Sequence, residues 1–383
     1  MSRPPKVHVA VVGAGPAGLA TAIEAALRGA RVEVYEKRRP PLDKACGEGL
    51  MPDGLALLRA MGVELEAGKA HPIVGIRYLD PHGRVWVEGR FPEPGAGIRR
   101  LQLHRAMVRR AEDLGIYIAW GKGVREVEKE ELWHLTLDDG AVTVPDFLVA
   151  ADGLRSKTAV QVGMAKASGL EPVTGRFGVR RHFGVAPWTD HVEVYWADFC
   201  EAYVTPTSPQ EIGVALLWDR RRIPPSEAGF DALLGRFPSL SERLAEIEPS
   251  SEILGTGPLR RQVLGVAAGD VALVGDASGY VDAITGEGLS IAFHQGVALA
   301  EGLAARNLSA YGARCREIRR LPDLMTELLL VLERRPTLRR RVLAALGREP
   351  SIFERFLAVH TRAVPASSLL ATAPTLLRAL LGF

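Results

Sequence analysis

Three glycines near the start of the chain have the spacing to bind a pyrophosphate. They lie at Gly13, Gly15 and Gly18, within the run Gly-Ala-Gly-Pro-Ala-Gly. The first would form a tight turn, the second would let a pyrophosphate approach the backbone, and the third would let a helix pack against a sheet. The N-terminus of that helix offers free N–H groups and the positive end of its dipole to the phosphates. Glu36, 18 residues after Gly18, is placed to accept hydrogen bonds from the ribose hydroxyls of an adenosine.

The segments around the glycines predict the elements that such a site needs. The apolar run from Lys6 to Val12 predicts a buried parallel strand, and small residues at Ala22 and Ala26 predict a helix that packs closely on it. Apolar residues then alternate over 31–35, which predicts a second strand that ends at the acid. A strand, helix and strand joined by this turn indicate an adenine dinucleotide site, and the glycines alone do not separate NAD from FAD.

Two more strand-like runs end in an acid next to glycine. One ends at Asp152, and the other ends at Gly275 and Asp276, ahead of the glycine-rich stretch Gly286–Leu289 and a helical run over 289–303. Asp276 could bind the hydroxyls of a ribitol chain. The backbone N–H groups of the glycine-rich stretch, aided by the helix dipole, could stabilise negative charge on a reduced flavin. These positions favour FAD.

Arg100 and Cys46 are two more candidates. Arg100 stands in a segment of helical period that starts at Ile98, where an ordinary solvated helix is the alternative. Cys46 belongs to the segment Asp43–Pro52, a few residues after the second strand. A thiolate near a helix N-terminus could be redox-active, and the alternative is a small buried residue that packs beside a flavin.

The composition limits the class of protein. The chain has 383 residues, of which 47% are apolar and 24% are charged, so it is not disordered and can form two or three domains. Three cysteines are too few for a disulfide scaffold and favour a reducing compartment. No stretch reaches the roughly 18 uninterrupted apolar residues of a membrane span, and no secretory signal is recognisable. A cytoplasmic location is expected, and no metal is.

In this order and spacing, the motifs resemble the para-hydroxybenzoate hydroxylase-like flavoproteins, a superfamily of FAD-dependent monooxygenases, halogenases and polyprenyl reductases. The resemblance covers most of residues 6–310. It implies that Arg100 contacts the FAD pyrophosphate or ribitol, that Asp152 lies in the motif linking FAD and nicotinamide binding, and that Asp276 binds the ribitol. The full set of cofactor-binding residues that we predict is Gly13, Gly15, Pro16, Ala17, Gly18, Glu36, Lys37, Cys46, Gly47, Arg100, Asp152, Gly275, Asp276, Gly286, Gly288 and Leu289.

The electron donor that the resemblance implies is NAD(P)H. No second glycine-rich fingerprint is present, so a separate domain that binds the donor is not expected. The members of this superfamily likewise lack such a domain. The superfamily's middle motif has an arginine three residues after its serine, and Ala159 occupies that position here. Arg155 or Lys157 could take its place.

Two branches of the superfamily compete. The segments around Cys46 and Thr285–Gly288 look like the geranylgeranyl reductase branch, which favours reduction of an isoprenoid or lipid double bond. A strand motif of that branch begins with an aromatic residue, and Glu201 stands there instead, although Tyr203 and Pro206 match. We therefore predict first a monooxygenase that hydroxylates an aromatic or polyketide-like molecule with reduced flavin and oxygen. The reductase is the first alternative, and a flavin-binding electron-transfer protein is the second.

The expected architecture is α/β, with a Rossmann-like FAD-binding domain, an interleaved antiparallel-sheet substrate domain and C-terminal helices. The predicted ranges are 1–70, 98–165 and 255–310 for the FAD domain, 71–97 and 166–254 for the substrate domain, and 311–383 for the helical region. An antiparallel meander is predicted from four runs, with Tyr203 as a candidate pocket residue on its third strand; the runs are Phe177–Val185, His191–Ala197, Cys200–Pro206 and Glu211–Leu217.

The helical region carries a basic surplus. From Leu303 onward there are 14 Arg and 6 acidic residues, a net charge of +8, whereas the first 302 residues sum to −5. Arg334, Arg335 and 339–341 form the densest group, and prolines at 336, 350, 365 and 374 separate the helices. A solvated helical cap and an interfacial helix on an anionic membrane both fit. Nucleic-acid binding is not expected, because no aromatic residues interleave with the arginines. A small, lipophilic substrate is the expected partner, and the oligomeric state is left open.

Overall fold

Two large sheets organise the chain in a computed structural model, which describes residues 6–166, 175–372 and 378. They have six and eight strands, and a third sheet has three. The strands in chain order are β1 (His8–Val12), β2 (Arg31–Glu36), β3 (Gly49–Leu50), β4 (Ala70–Leu79), β5 (Val85–Ile98), β6 (Tyr117–Trp120), β7 (Val124–Lys129), β8 (Trp133–Leu137), β9 (Val142–Thr143), β10 (Phe147–Ala150), β11 (Arg176–Phe183), β12 (His191–Ala197), β13 (Cys200–Ser208), β14 (Glu211–Asp219), β15 (Leu254–Thr256), β16 (Ala267–Ala268) and β17 (Val271–Leu273).

Helices cover both sheets and close the chain. The α-helices are α1 (Pro16–Leu27), α2 (Pro52–Ala60), α3 (Arg100–Asp113), α4 (Thr158–Gln161), α5 (Phe230–Leu234), α6 (Pro238–Leu244), α7 (Gly288–Ala304), α8 (Tyr311–Arg334), α9 (Pro336–Arg348) and α10 (Pro350–His360). None of the helices in the described ranges is long and apolar enough to cross a bilayer.

The first sheet has the strand order β16-β17-β10-β1-β2-β6 and is parallel except at β16. Its central strands are apolar throughout because helices cover both faces, and β1 is buried from Val9 to Val12. The predicted strand, helix and strand unit is confirmed, with α1 between β1 and β2. The carboxyl ends of β1, β10 and β17 lie at one edge, which brings the glycine turn and both later acids together.

The second sheet has the order β15-β11-β14-β13-β12-β4-β5-β3. All four predicted strands are present, but the prediction of a simple meander is wrong. β12, β13 and β14 form consecutive hairpins, whereas β11 pairs with β14, with Phe177 opposite Trp218. The reason is that the other edge of β12 is already occupied by β4, which runs parallel to it with Gly75 opposite His191.

Three helices, α8, α9 and α10, follow α7. α8 is tied to the first sheet because the Tyr311 hydroxyl donates to the Leu273 carbonyl, and it runs on for 24 residues with Pro322 inside it. α9 and α10 each begin at a proline, as predicted, since the first helical position needs no N–H donor. The predicted break at Pro374 lies outside the described residues. α10 packs against β5, so the C-terminal helices cover the second sheet as well.

Candidate active site

A cavity of about 1400 Å³ lies between the two sheets and the C-terminal helices. All of the predicted site residues line it except Gly18. Gly18 has a packing role, because a Cβ there would stand 1.9 Å from the Gly13 carbonyl oxygen. The two ends of the cavity differ, and we call them the dinucleotide end and the apolar chamber.

The dinucleotide end begins at the N-terminus of α1. Gly15 caps this helix without a side-chain hydrogen bond, so the first N–H groups are open to the cavity. A Cβ on Gly15 would meet only the Arg100 guanidinium, at 4.0 Å, and this leaves the space that a pyrophosphate needs. Glu36 ends β2 and accepts hydrogen bonds from the N–H groups of Ala14 and Arg38, at 3.1 and 3.0 Å. Its carboxylate therefore fixes the glycine turn while it lines the cavity.

Asp276 lies across the cavity in a positively charged setting. Its carboxylate accepts a hydrogen bond from the Lys44 ammonium at 2.8 Å. Burial opposes the charge on Asp276, but the attraction of Lys44, Arg100 and Arg319 outweighs it and lowers the pKa of this carboxyl. A charged acceptor at the end of β17 suits the hydroxyls of a polyol chain.

Asp152 has one oxygen with no protein partner. Its Oδ2 accepts from the N–H groups of Lys157 and Thr158, at 2.9 and 3.1 Å, which shapes the turn after β10. Its Oδ1 is buried and makes no hydrogen bond within the described part of the chain. Such an atom at a cavity wall indicates a ligand donor. Ala159 is completely buried, whereas Arg155 and Lys157 line the cavity where they could replace the missing arginine.

The N-terminus of α7 also opens into the cavity. Gly286, Gly288 and Leu289 line it, and Glu287 precedes the helix without forming a side-chain cap. The 17-residue helix directs the positive end of its dipole at this point, which favours a group that gains negative charge on reduction. Together with α1, Asp152 and Asp276, this arrangement fits an FAD molecule. No group of three or more His, Cys, Asp or Glu side chains that could hold a metal occurs among the residues described.

The segment from Lys44 to Gly49 connects the dinucleotide end to the second sheet. Lys44 pairs with Asp276 at one end, and the Gly47 carbonyl accepts a hydrogen bond from the Thr205 hydroxyl, 2.8 Å away, at the other. Cys46 is half-buried on this segment, and its Sγ accepts a hydrogen bond from the Glu48 N–H at 3.4 Å. The thiol thus faces the junction of the two ends.

Glu48 holds this segment in place through its side chain, and it is not among the site residues predicted from the sequence. Its φ of 60° is in the left-handed region, which is uncommon for a residue with a side chain. The buried carboxylate lies 2.5 Å from the His182 ring and accepts a hydrogen bond from the Arg100 N–H at 2.8 Å. These contacts hold the segment against β11 and the start of α3. A glutamate between two glycines was the only available signal.

The apolar chamber has the second sheet as its floor. Alternate residues of neighbouring strands face it, as the two-residue period of a strand requires: Ile76, Tyr78, Val192, Val194, Tyr203, Thr205, Ala215 and Leu217. The opposite wall comes from α8, α9 and α10 and is almost entirely aliphatic or aromatic: Met325, Leu328, Leu329, Val331, Leu332, Leu338, Val342, Leu343, Leu346, Phe353, Phe356 and Leu357. Nothing in the sequence indicates that the apolar residues of these helices enclose a cavity.

Tyr203 connects the floor to the loop between β17 and α7. Its hydroxyl donates to the Ile284 carbonyl at 2.9 Å, and burial together with the nearby Glu201 carboxylate raises the pKa of the phenol well above its ordinary value. The side chain is therefore neutral, and its ring forms part of the chamber. Tyr203, which the sequence predicted as a pocket residue, lines the cavity.

Glu201 does not line the chamber, although it replaces an aromatic residue of the reductase motif. Its carboxylate pairs with the buried Arg176 guanidinium, which also pairs with Asp282 and Glu333, and the closest contacts are 2.9, 3.1 and 3.5 Å. We call these four side chains the ion cluster. Burial raises the pKa of Glu201 to about 7, against the attraction of Arg176. Glu201 is on the same face of β13 as Tyr203 and Thr205, but its carboxylate joins the sheet to α8 through the ion cluster and does not line the chamber.

The arginines of the C-terminal helices are only partly solvated. The prediction of a fully solvated helical cap is therefore wrong for one of them. Arg339 is buried, donates to the Glu333 carbonyl and pairs with Asp198 at 2.9 Å. Arg334, Arg335, Arg340 and Arg341 are exposed. Arg339 therefore connects α9 to α8 and to the turn between β12 and β13. The sequence does not show that these elements are neighbours.

A model of the FAD binding domain family matches residues 6–312 of this chain. The chain belongs to this family. It is an FAD-dependent oxidoreductase, and the resemblance to para-hydroxybenzoate hydroxylase-like flavoproteins is confirmed.

Relatives in this family include both reductases and monooxygenases. Menaquinone reductase of Mycobacterium tuberculosis is 31% identical over 354 residues, which cover 85% of this chain and 86% of that protein. Digeranylgeranylglycerophospholipid reductase 1 of Methanothermobacter thermautotrophicus is 25% identical over 86% of each chain. FAD-dependent monooxygenase fsr3 of Gibberella fujikuroi is 31% identical over 173 residues, or 40% of this chain and 33% of that protein.

The fold agrees with solved structures of flavoproteins. A flavoprotein/dehydrogenase from Cytophaga hutchinsonii superposes with a TM-score of 0.79 at 18% identity, covering 93% of each chain. The predicted α/β class, with a Rossmann-like FAD-binding part, is therefore confirmed.

Proposed function

We propose that this FAD-dependent oxidoreductase reduces a carbon–carbon double bond in a long apolar, isoprenoid-like substrate. The observation that carries the proposal is the apolar chamber, which is continuous with the dinucleotide end and is walled by three helices and one sheet face. Apolar walls with few polar groups favour an extended hydrocarbon chain over a polar aromatic acid. Two relatives, named as reductases of menaquinone and of a digeranylgeranyl lipid, support the same substrate class.

The protein's part in the reaction is binding, orientation and exclusion of water. FAD, when bound, supplies the reducing equivalents in its reduced form. The N-termini of α1 and α7 would hold its phosphates and the charged edge of its ring, while Asp276 and Arg100 would hold the chain between them. The chamber would orient the substrate's hydrocarbon, and the segment from Lys44 to Gly49 would set the distance between the two ends. Lys44, Cys46 and Glu48 are the ionisable side chains on that segment.

We propose NAD(P)H as the electron donor. Asp152, with its unpartnered oxygen, and the cavity-lining Arg155 and Lys157 are the groups that support this. Mixing the oxidised holoenzyme with NADH or NADPH in the absence of oxygen tests it, since loss of flavin absorbance reports electron transfer. If neither nucleotide bleaches a flavin that dithionite does bleach, the donor is of another class.

The function is tested by product analysis under turnover. Holoenzyme, a reductant and either menaquinone or a geranylgeranyl lipid are incubated with and without oxygen, and product mass and oxygen uptake are recorded. We expect a gain of two hydrogen atoms that persists after any quinol has been reoxidised to the quinone, and no requirement for oxygen. A gain of one oxygen atom, with stoichiometric oxygen uptake, would contradict the reductase.

Hydroxylation of an aromatic or polyketide-like compound is the second candidate. It is favoured by the two tyrosines on the chamber floor, Tyr78 and Tyr203, and by the similarity to a named FAD-dependent monooxygenase. An aromatic ring could stack or pack edge-on against these side chains. The product analysis above distinguishes it from reduction.

We also propose that the protein works in a reducing compartment, in agreement with the predicted cytoplasmic location. All three cysteines are unpaired, including the buried Cys200 and Cys315. Fractionation of cells that express the chain, followed by thiol labelling of the denatured protein, tests this. Oxidised cysteines in freshly isolated protein would contradict it.

A further inference from the structure

An exposed apolar stripe runs along α8 and onto α9. Leu324, Leu328 and Val331 are 54%, 48% and 40% exposed, and Leu338 is 37% exposed. The first three follow the spacing i, i+4 and i+7, so they share one face of α8. Large apolar side chains that are exposed together mark a site where the surface meets a partner.

The stripe is continuous with the apolar chamber. Leu328, Val331 and Leu338 line the cavity as well as reaching solvent. They therefore form the rim of the opening through which a hydrocarbon would pass. We call Leu324, Leu328, Val331 and Leu338 the rim.

The charges beside the α9 end of the rim are basic. Arg334, Arg335, Arg340 and Arg341 are exposed. The sole acidic residue from 328 to 348 is Glu333, which is fully buried in the ion cluster. At the Leu324 end, Asp323 pairs with Arg319 and the exposed Glu327 pairs with Arg260. An apolar stripe flanked by arginines matches the boundary between the acyl chains and the anionic headgroups of a bilayer. A second copy of this chain fits less well, because two such surfaces would place arginines against arginines.

We propose that the rim docks on an anionic lipid surface, with the four exposed arginines at the headgroups. The opening of the chamber then faces the bilayer, and an isoprenoid-like lipid can enter without crossing water. This route for the substrate rests on the proposed function, whereas the docking itself does not. The contact is peripheral, since it uses one face of α8 and the start of α9.

Vesicle flotation of the full-length holoenzyme tests the docking. The vesicles are phosphatidylcholine alone or phosphatidylcholine mixed with phosphatidylglycerol, at low and high salt. We expect binding to the mixed vesicles that weakens with salt. Removing one arginine should weaken binding about fivefold, and changing all four to glutamine should weaken it roughly 100-fold or more. Leu324→Gln should weaken it at both salt concentrations, and it leaves the chamber unchanged because Leu324 does not line it.

Matched variants elsewhere control for charge and hydrophobicity. Arg105 and Arg109 are exposed on α3, and Leu264 is 71% exposed outside the cavity. Their changes to glutamine should leave vesicle binding intact. Equal losses in these variants, or no binding of the wild type to anionic vesicles, would overturn the docking. Self-association that Leu324→Gln abolishes, without any vesicle binding, would assign the rim to a second copy instead.

The proposed function and the docking can fail separately. Reduction of a detergent-dispersed lipid without vesicle binding would overturn the docking alone. Vesicle binding by a protein that reduces no isoprenoid would support the docking and overturn the substrate class.

Discussion

The two ends of the cavity are built in different ways. At the dinucleotide end, backbone N–H groups, glycines and a few charged side chains form the surface, and most of them lie close to a strand end or a helix N-terminus. In the apolar chamber, side chains from one sheet face and three distant helices form the walls. The first end is defined by where the backbone runs, and the second by which side chains fill the space. A single added atom should therefore damage the first, whereas the second should respond mainly to volume.

The largest effect should come from Gly18→Ala, compared with Gly15→Ala. At Gly18 the new Cβ would collide with the Gly13 carbonyl, so the turn cannot form, and both the fold of α1 and FAD binding should be lost. At Gly15 the Cβ has room in the protein itself. The Gly15 variant should keep the melting temperature of the apoprotein and bind FAD about tenfold or more weakly, a change of about 1.4 kcal/mol.

Thermal unfolding of the apoproteins and fluorescence titration with FAD measure the two effects. Normal FAD affinity in the Gly15 variant would show that the pyrophosphate of FAD does not bind at this turn. An unchanged melting temperature in the Gly18 variant would show that the turn can shift.

Arg176→Met should give the next largest effect, since it removes the one cation held between Glu201, Asp282 and Glu333. Three buried carboxylates would then face each other, and breaking such a group typically costs about 3–5 kcal/mol of unfolding free energy. Chemical denaturation measures this. The mostly exposed Arg221, paired with Asp219, is the matched control, and its change to methionine should cost about 1 kcal/mol or less. Equal effects would show that the ion cluster contributes no more to stability than an exposed ion pair does.

A smaller effect is expected when the chamber is filled. Ala215→Leu adds volume to the floor without touching the dinucleotide end. For the longest substrate we expect about a tenfold loss in kcat/KM, or about 1.4 kcal/mol, with the Kd for FAD unchanged. Steady-state kinetics with substrates of increasing chain length measure it, and a short substrate serves as the control. If short and long substrates were affected equally, the chamber would not hold the hydrocarbon chain.

The smallest effect should be the pH dependence of stability caused by Glu201. Its pKa rises from 4.5 to about 7 on folding, so the folded protein binds the extra proton. The stabilisation is complete below about pH 4.5 and is lost as pH rises through 7. The melting temperature of the wild type should therefore fall across this range relative to Glu201→Gln, by about 2–4 °C for each kcal/mol lost. His104, whose pKa falls to about 4 on burial, acts in the opposite direction in both proteins and cancels.

Parallel melting curves of the two proteins from pH 4.5 to 7 provide the measurement. A constant difference between them would mean that Glu201 does not titrate in the folded protein.

The sequence predicted much of the dinucleotide end because its signals are local. A glycine turn, a strand that ends in an acid and a helix that starts at glycine each fall within one short segment, and Gly13, Asp152 and Asp276 do line one cavity. Their individual contacts with FAD stay predictions. The alternating and helical periods also predicted several elements, including four of the eight strands of the second sheet.

The chamber could not be predicted in the same way, because it depends on which distant elements become neighbours. An apolar stripe on α8 is equally compatible with a core, a cap or a cavity wall. The pairing of β11 with β14 and the burial of Arg339 follow from the positions of β4 and Asp198, more than 90 residues away. The monooxygenase predicted first and the reductase differ in substrate and in the use of oxygen, and the chamber bears only on the substrate.

The pairing of strands in the first sheet also dictates the order in which the protein can mature. β1 is synthesised early but pairs with β10, with Val9 opposite Phe147. β10 in turn pairs with β17, which is synthesised much later, with Leu148 opposite Val271. Until the ribosome has passed α7, the nascent chain has unpaired, strongly apolar strand edges, and the dinucleotide end of the cavity is incomplete. We therefore expect FAD to enter only after synthesis of the catalytic part is nearly finished, and shortened chains to depend on chaperones.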